Sequence, residues 1–214
     1  MIKKIILSGA VISSLFSFAQ EKITIMPAIG YGWRVAETAS GLSKEEKDYV
    51  KGLKSGLHFE AAAYYNLNHI GIGAKFSSYS ASSSGLFRGN SNNGMPVYFS
   101  LNTKDNITFI GPSVMFSNHA KPIKHKVSAD ISLGVISYTT KTGSVKGTGS
   151  TFGMELGAGY QYAITKNLMI GPKFTATAGT LSKMKYNGQT LSLGKDEKEG
   201  LTRVSLSAAA AFRF

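Results

Sequence analysis

Eight ionisable residues are spaced through this chain in a way that could do chemistry: Arg34, His58, Glu60, Lys75, Asp130, Glu155, Lys173 and Arg203. Each lies in an alternating segment, on the face made mostly of Gly, Ala, Ser and Thr. Charges withdrawn from water must pair or stay hydrated. Enclosed together, the set predicts either a structural salt-bridge plug or a narrow path whose pairs exchange partners to admit small solutes. Catalytic groupings are weaker. The four histidines His58, His69, His119 and His125 show no metal-type spacing, and the absence of cysteine excludes thiol nucleophiles, disulfides and Cys-based zinc sites. Ser117-Asn118-His119 is the one cluster suggesting a nucleophile and base, but no acid is near in sequence and Ser and Asn favour turns. The expectation is no enzyme, no cofactor and no metal.

The elements carrying these charges alternate with period two. Ile23, Ile25, Ile29, Tyr31, Trp33 and Val35 share one face, and Thr24, Met26, Ala28, Gly30, Gly32 and Arg34 the other. The same pattern runs through Leu57–Tyr65, Ile70–Ser77, Phe109–Phe116, Val127–Val135, Phe152–Tyr162, Leu168–Ala178 and Arg203–Phe214, which makes eight strands. Their connections alternate in length. Asn66–His69 and Ile164–Asn167 are tight turns and Asn118–His125 is slightly longer, whereas Glu37–Gly56, Ser82–Asn106, Thr140–Ser150 and Leu181–Gly200 are long and polar. Ser43 and Glu46 form a possible capping box for a helix in the first long connection. Pro96–Leu101 also reads as a strand; counted as spanning it would put the termini on opposite sides, so it is placed as a β extension beyond the membrane.

Composition narrows the class. Of 214 residues only 17% are charged, with 24 Lys plus Arg against 12 Asp plus Glu. Lys3 and Lys4 precede an apolar, serine-broken run to Phe18, with small residues Ser17 and Ala19 before Gln20. This is an export signal cleaved after Ala19, too short for a membrane-spanning helix. The chain thus divides into a signal peptide, 1–19, and one barrel domain, 20–214. Lysines interleave with acids, as in Lys44–Lys51 and Lys195–Glu199, which reads as solvated surface rather than a nucleic-acid footprint. Loop lysines beside an anionic leaflet would instead attract lipopolysaccharide phosphates.

Period two alone leaves open which face meets lipid. Aromatics gather near strand ends: Tyr31 and Trp33, Tyr64 and Tyr65, Phe116, Tyr160 and Tyr162, and Phe212 and Phe214. These are candidate membrane-interface girdles. The opposite face is small, as the narrow lumen of an eight-stranded barrel requires. Short turns on one side and long loops on the other complete an antiparallel up-and-down transmembrane β-barrel. Pro27, Pro112 and Pro172 strain this reading, since proline cannot donate to a ladder; the adjacent Gly111 and Gly171 suggest bulges there.

The last strand, Val204-Ser-Leu-Ser-Ala-Ala-Ala-Ala-Phe-Arg-Phe214, is similar to the terminal signal read by the barrel-assembly machinery, with Phe212 and Phe214 as its aromatic positions. With the export signal, it resembles the small outer membrane β-barrel family, the eight-stranded barrels related to outer membrane proteins A and W. The resemblance implies insertion into a Gram-negative outer membrane among lipid and lipopolysaccharide, as a monomer and with no fixed active site. A structural or surface-interaction barrel with a plugged lumen, a narrow passive channel, and a soluble secreted β-protein are the three roles to separate.

Overall fold

The computed structural model describes residues 22–35, 41–90, 95–186, 188–194 and 199–214. The export signal at 1–19 and the charged run at 195–198 lie outside the described residues. Eight antiparallel strands close on themselves: β1 (Ile23–Arg34), β2 (Ser55–Leu67), β3 (Ile70–Asn90), β4 (Pro96–Ser117), β5 (His125–Thr142), β6 (Val145–Ala163), β7 (Leu168–Ala178) and the last strand, β12 (Arg203–Arg213). Closure is made by β12, which pairs with β7 on one side and with β1 on the other. Backbone bonds between Ile23 and Phe214, at 3.0 and 2.9 Å, extend that seam to the last residue. Four short strands decorate the long-loop end: β8 (Thr180–Leu181), β9 (Lys183–Tyr186), β10 (Gln189–Ser192) and β11 (Glu199–Gly200).

Strand lengths separate two zones. β1, β7 and β12 have 12, 11 and 11 residues. At about 3.3 Å per residue and a tilt of about 40°, such strands rise roughly 28–30 Å, the depth of a bilayer hydrocarbon core. β3 and β4 have 21 and 22 residues and pair from Ile70↔Phe116 to Asn90↔Pro96. Their extra residues carry this hairpin roughly 25 Å further. The segments expected as long loops at Ser82–Asn106 and Thr140–Ser150 are therefore mostly strand. Pro96–Leu101 is not a separate piece of sheet but the start of β4. Above the apolar zone both faces of these strands mix polar and apolar residues, with Leu86 and Phe87 on opposite faces of β3, so alternation disappears while backbone pairing continues.

Helix α1 (Lys44–Leu53) fills the first long connection. Ser43 Oγ accepts from the Glu46 N–H at 3.2 Å, and Glu46 accepts from the Ser43 N–H at 2.8 Å, the capping box expected from the sequence. Its Tyr49 ring meets Phe87 edge-on at 5.2 Å, and Phe87 stacks on Phe99 at 6.0 Å, which fixes the helix against the β3–β4 extension. At the opposite end, Asn68 adopts φ 65° in the β2–β3 turn, a conformation Asn tolerates well.

The prolines are accommodated without bulges. Pro27, Pro112 and Pro172 stand opposite Ala61, Ala74 and Ala208 on one neighbouring strand, and each interrupts the ladder with the other. Register is unchanged across the gap: Ile110 pairs with Val135 and Ser113 with Ser132 on either side of Pro112. Gly111 serves a different purpose from the expected bulge. It faces inward opposite Gly134, and a Cβ added to it would fall 2.7 Å from the Gly134 Cα. The two strands approach too closely there for any side chain.

Candidate functional site

The barrel is apolar outside and carries its buried charges inside. Ile29, Leu57, Ile110 and Phe152 are each more than 60% exposed on the outer face, among Ile72, Val114, Ile131, Leu133, Leu156, Ile170 and Leu206. In water this belt would leave a large contiguous apolar surface uncovered; in lipid it is the matching face. The interface aromatics also point outward, in two tiers. Tyr31 and Trp33, 5.5 Å apart, mark the end of β1 nearest the long loops. Tyr65, Tyr160 and Tyr162 mark the short-turn end, where His125 Nδ1 and the Tyr160 hydroxyl are 2.7 Å apart. Phe212 lies on the outer face of β12, paired with Ile25 and Leu168. Tyr64 departs from the expected girdle: it is fully buried inside, with its hydroxyl 3.0 Å from Ser113 Oγ. Neighbours on a strand face opposite ways, so Tyr65 outside requires Tyr64 inside.

All eight charges singled out from the sequence point into the lumen, in two groups. Seven form the middle layer. Glu60 takes Lys173 Nζ at 2.5 Å and the Thr175 hydroxyl at 2.9 Å, with Lys75 at 3.5 Å and His58 Nε2 at 3.8 Å. Asp130 bridges the two lysines, at 2.6 Å to Lys75 and 2.7 Å to Lys173. Glu155 accepts from the Ser77 and Thr177 hydroxyls, both at 2.6 Å, and lies 3.1 Å from Lys75 and 3.5 Å from Arg203. Three carboxylates thus meet three cations, with hydroxyls taking further lone pairs, which is what buried ions require. Arg34 stands apart toward the long-loop end. It pairs with Asp105 at 3.3 Å and with Glu199, donates to the Gly200 carbonyl at 2.8 Å, and lies over the Tyr138 ring.

Apolar layers seal the middle network from both sides. Toward the long loops lie Tyr79, Ile107, Phe109, Ile136, Tyr138 and Leu181; toward the short turns lie Met26, Tyr64, Met115 and Met169. Neither apolar plug was read from the sequence, although the inward positions of Tyr79, Phe109 and Met115 were legible once their strands were assigned.

Asp105 and Glu199 were also missed, because both fall in segments read as loop. At the short-turn end sequence reasoning missed Lys126 and the grouping of Arg213 with it. Both are buried and donate to the His119 carbonyl, at 3.0 and 2.8 Å. The Ser117-Asn118-His119 cluster is turn structure: Asn118 Oδ1 accepts from the Val127 N–H at 2.8 Å and its amide donates to the His125 carbonyl at 3.3 Å. Among the described residues no group of three or more His, Cys, Asp or Glu is placed to hold a metal ion.

Among solved structures, Neisserial surface protein A aligns with 90% of this chain and 97% of its own, at a TM-score of 0.56 and 13% identity. The fold is that of the eight-stranded outer membrane β-barrels. A major outer membrane protein from Thermus thermophilus aligns at a TM-score of 0.48 and 11% identity, over 90% of this barrel and 99% of that chain. Ail, the attachment invasion locus protein of Yersinia pestis, aligns at 0.46 and 13% identity, over 90% and 99%. No protein-family description and no curated protein matches the barrel by sequence.

Proposed function

We propose that this is an integral outer membrane barrel of a Gram-negative cell that acts through its external surface, with a lumen that does not conduct. The supporting observation is the sealed interior: a charge-neutralised layer between two apolar plugs. A hydrated ion crossing the barrel would have to break the Lys75–Asp130 and Lys173–Glu60 pairs and also shed water to pass Phe109 and Met115. Both steps are costly in a low-dielectric interior. Purified barrel reconstituted in planar bilayers is expected to show no stepwise conductance, and Glu60→Gln and Glu155→Gln are expected to leave it silent. Discrete single-channel steps that change size in either variant would establish the narrow-channel reading instead.

The external surface supplies the contacts. The β3–β4 extension presents Leu86, Val97, Tyr98 and Phe99, all at least 44% exposed, beside α1, whose Lys44, Lys47 and Lys51 are exposed. On this reading Lys44, Lys47 and Lys51, with Lys183 and Lys185 of β9, face the phosphate-rich outer leaflet and hold lipopolysaccharide by charge. Converting these five to Gln is expected to reduce co-purifying lipopolysaccharide several-fold, with the loss already evident at moderate salt. Undiminished lipopolysaccharide in the variant would remove charge as the means of retention. Assembly into that membrane is assigned to the barrel-assembly machinery reading β12, with Phe212 and Phe214 as the recognised aromatics.

A further inference from the structure

The β3–β4 extension has two edges, and the fold treats them differently. Helix α1, which leads directly into β2, covers the β3 side: Tyr49 meets Phe87 there, and a Cβ added to Gly52 would fall 2.5 Å from Ser83 Oγ. On the β4 side, pairing with β5 stops at Thr103↔Thr142, and no strand of the described residues continues it. Residues 96–101 are thus an uncovered edge, with Val97, Tyr98 and Phe99 all exposed. Sheet edges are commonly shielded by charge, a bulge or a covering helix. This one has no charged residue from 91 to 103.

Backbone direction decides what that edge can hold. Asn102 accepts from the Gly143 N–H at 3.1 Å, and Asn118 donates to the Val127 carbonyl at 3.2 Å, so even-numbered residues turn their peptide groups toward β5. Ser117 donates to the His69 carbonyl at 2.9 Å, so odd-numbered ones turn toward β3. The register of β3 against β4 is unbroken from Ile70↔Phe116 to Asn90↔Pro96, which carries this rule through the extension. The open edge therefore offers the N–H groups of Tyr98, Ser100 and Asn102 and the carbonyls of Pro96, Tyr98 and Ser100. Proline brings no donor at one end, and Gly143 already occupies the acceptor at the other.

Turned end for end, this set is its own complement. A second copy laid antiparallel, with Phe99 opposite Phe99, puts Tyr98 opposite Ser100 and Pro96 opposite Asn102. Every free N–H then meets a free carbonyl, and none is left over. Phe99 meets its own counterpart and Val97 meets Leu101 at the closely spaced, non-hydrogen-bonded positions, where aromatic and β-branched pairs stabilise a sheet.

We propose that β4 is a self-pairing edge: two copies of this chain join antiparallel through residues 96–102, centred on Phe99. Barrels in one membrane point the same way, so the β4 strands of neighbours run parallel. Antiparallel pairing instead joins barrels from facing membranes. The proposal gives the external-surface reading its partner and rests on that reading for this setting; it departs from the monomer that the family resemblance implies. Stepwise conductance would remove the external-surface reading and leave the dimer measurement unaffected.

The test uses the full barrel in maltoside micelles. The chain has no cysteine, so Val97→Cys/Leu101→Cys introduces the only thiols. Opposed residues at such positions lie about 4.5 Å apart at Cα, within disulfide range, whereas positions 97 and 101 of one chain are about 13 Å apart. On mild oxidation the double variant is expected to form a covalent dimer at least about tenfold faster than either single variant, whose thiol faces an intact side chain. Ser100→Pro removes a donor from the open edge and leaves the β3 ladder intact, because that N–H faces away from β3. It is expected to raise the dimer Kd at least about tenfold by analytical sedimentation, with heat-dependent gel mobility kept. The proposal is overturned if the parent sediments as a monomer at every concentration, if the single thiols crosslink as fast as the pair, or if Ser100→Pro dimerises as the parent does. A monomeric parent that takes up an unrelated extended peptide along this edge would assign it to a foreign strand and equally overturn self-pairing.

Discussion

Glu155→Ala is expected to destabilise the folded barrel by about 3–5 kcal/mol, the range for stripping a buried ion of its partner. Glu155 is the only carboxylate within ion-pair distance of Arg203 among the described residues, and both are fully buried. Its loss would leave the guanidinium with Ser77 Oγ at 2.8 Å and the Ile107 carbonyl at 3.4 Å, and would strip the Ser77 and Thr177 hydroxyls of their acceptor as well. The double change Glu155→Gln/Arg203→Met should recover most of the loss, because removing both ions together removes their desolvation cost too. Urea unfolding in lipid vesicles, followed by the fluorescence of Trp33, the single tryptophan, gives both values. A Glu155→Ala barrel as stable as the parent would mean that water reaches Arg203 and that the middle layer is not sealed.

The second large effect concerns backbone geometry. Gly111→Val is expected to cost about 3 kcal/mol, the upper part of the range for overpacking. The obstruction is the β5 backbone at Leu133 and Gly134, nearest at the Leu133 carbonyl oxygen, which cannot rotate away as a side chain would. The β4–β5 ladder is already interrupted at Pro112, so the strands must separate where fewest bonds hold them. Gly143→Asn is the control. Gly143 has φ 57° in the β5–β6 turn with nothing within 4 Å of its added Cβ, and Asn adopts that conformation readily. Its effect should stay within about 0.5 kcal/mol, typical of surface changes. Equal stability of Gly111→Val and Gly143→Asn would contradict the close approach at Gly111.

The spanning parts of the strands were legible in the sequence because two solvents impose period two: Leu57, Phe59 and Tyr65 must face lipid while His58, Glu60 and Tyr64 face inward. The same argument placed all eight lumen charges on one face. It could not say which carboxylate meets which lysine, since Glu60 and Lys173 are brought together only by barrel closure. Legibility failed wherever the two-solvent rule lapsed. Beyond the apolar belt β3 and β4 mix polar and apolar residues on both faces, so Asp105 falls in a segment that reads as loop and its pairing with Arg34 is hidden. The glycines beside Pro112 and Pro172 were read as bulges because proline needs a gap in the ladder, yet register is conserved across both. At the short-turn mouth, Lys126 and Arg213 donate to the backbone carbonyl of His119, a partner that side-chain identities do not reveal.

The central claim is that the apolar face of this barrel lies in lipid, and Trp33 can report on it without a label. Trp33 is 44% exposed on the outer face, at the long-loop end of β1. Reconstituted in vesicles of lipids brominated at defined acyl positions, the protein should show Trp33 fluorescence quenched most by bromines near the interface and least by bromines at the bilayer centre. Trp33 emission that is indifferent to brominated lipid at every depth, from protein recovered in the aqueous phase, would turn the barrel inside out and contradict the account.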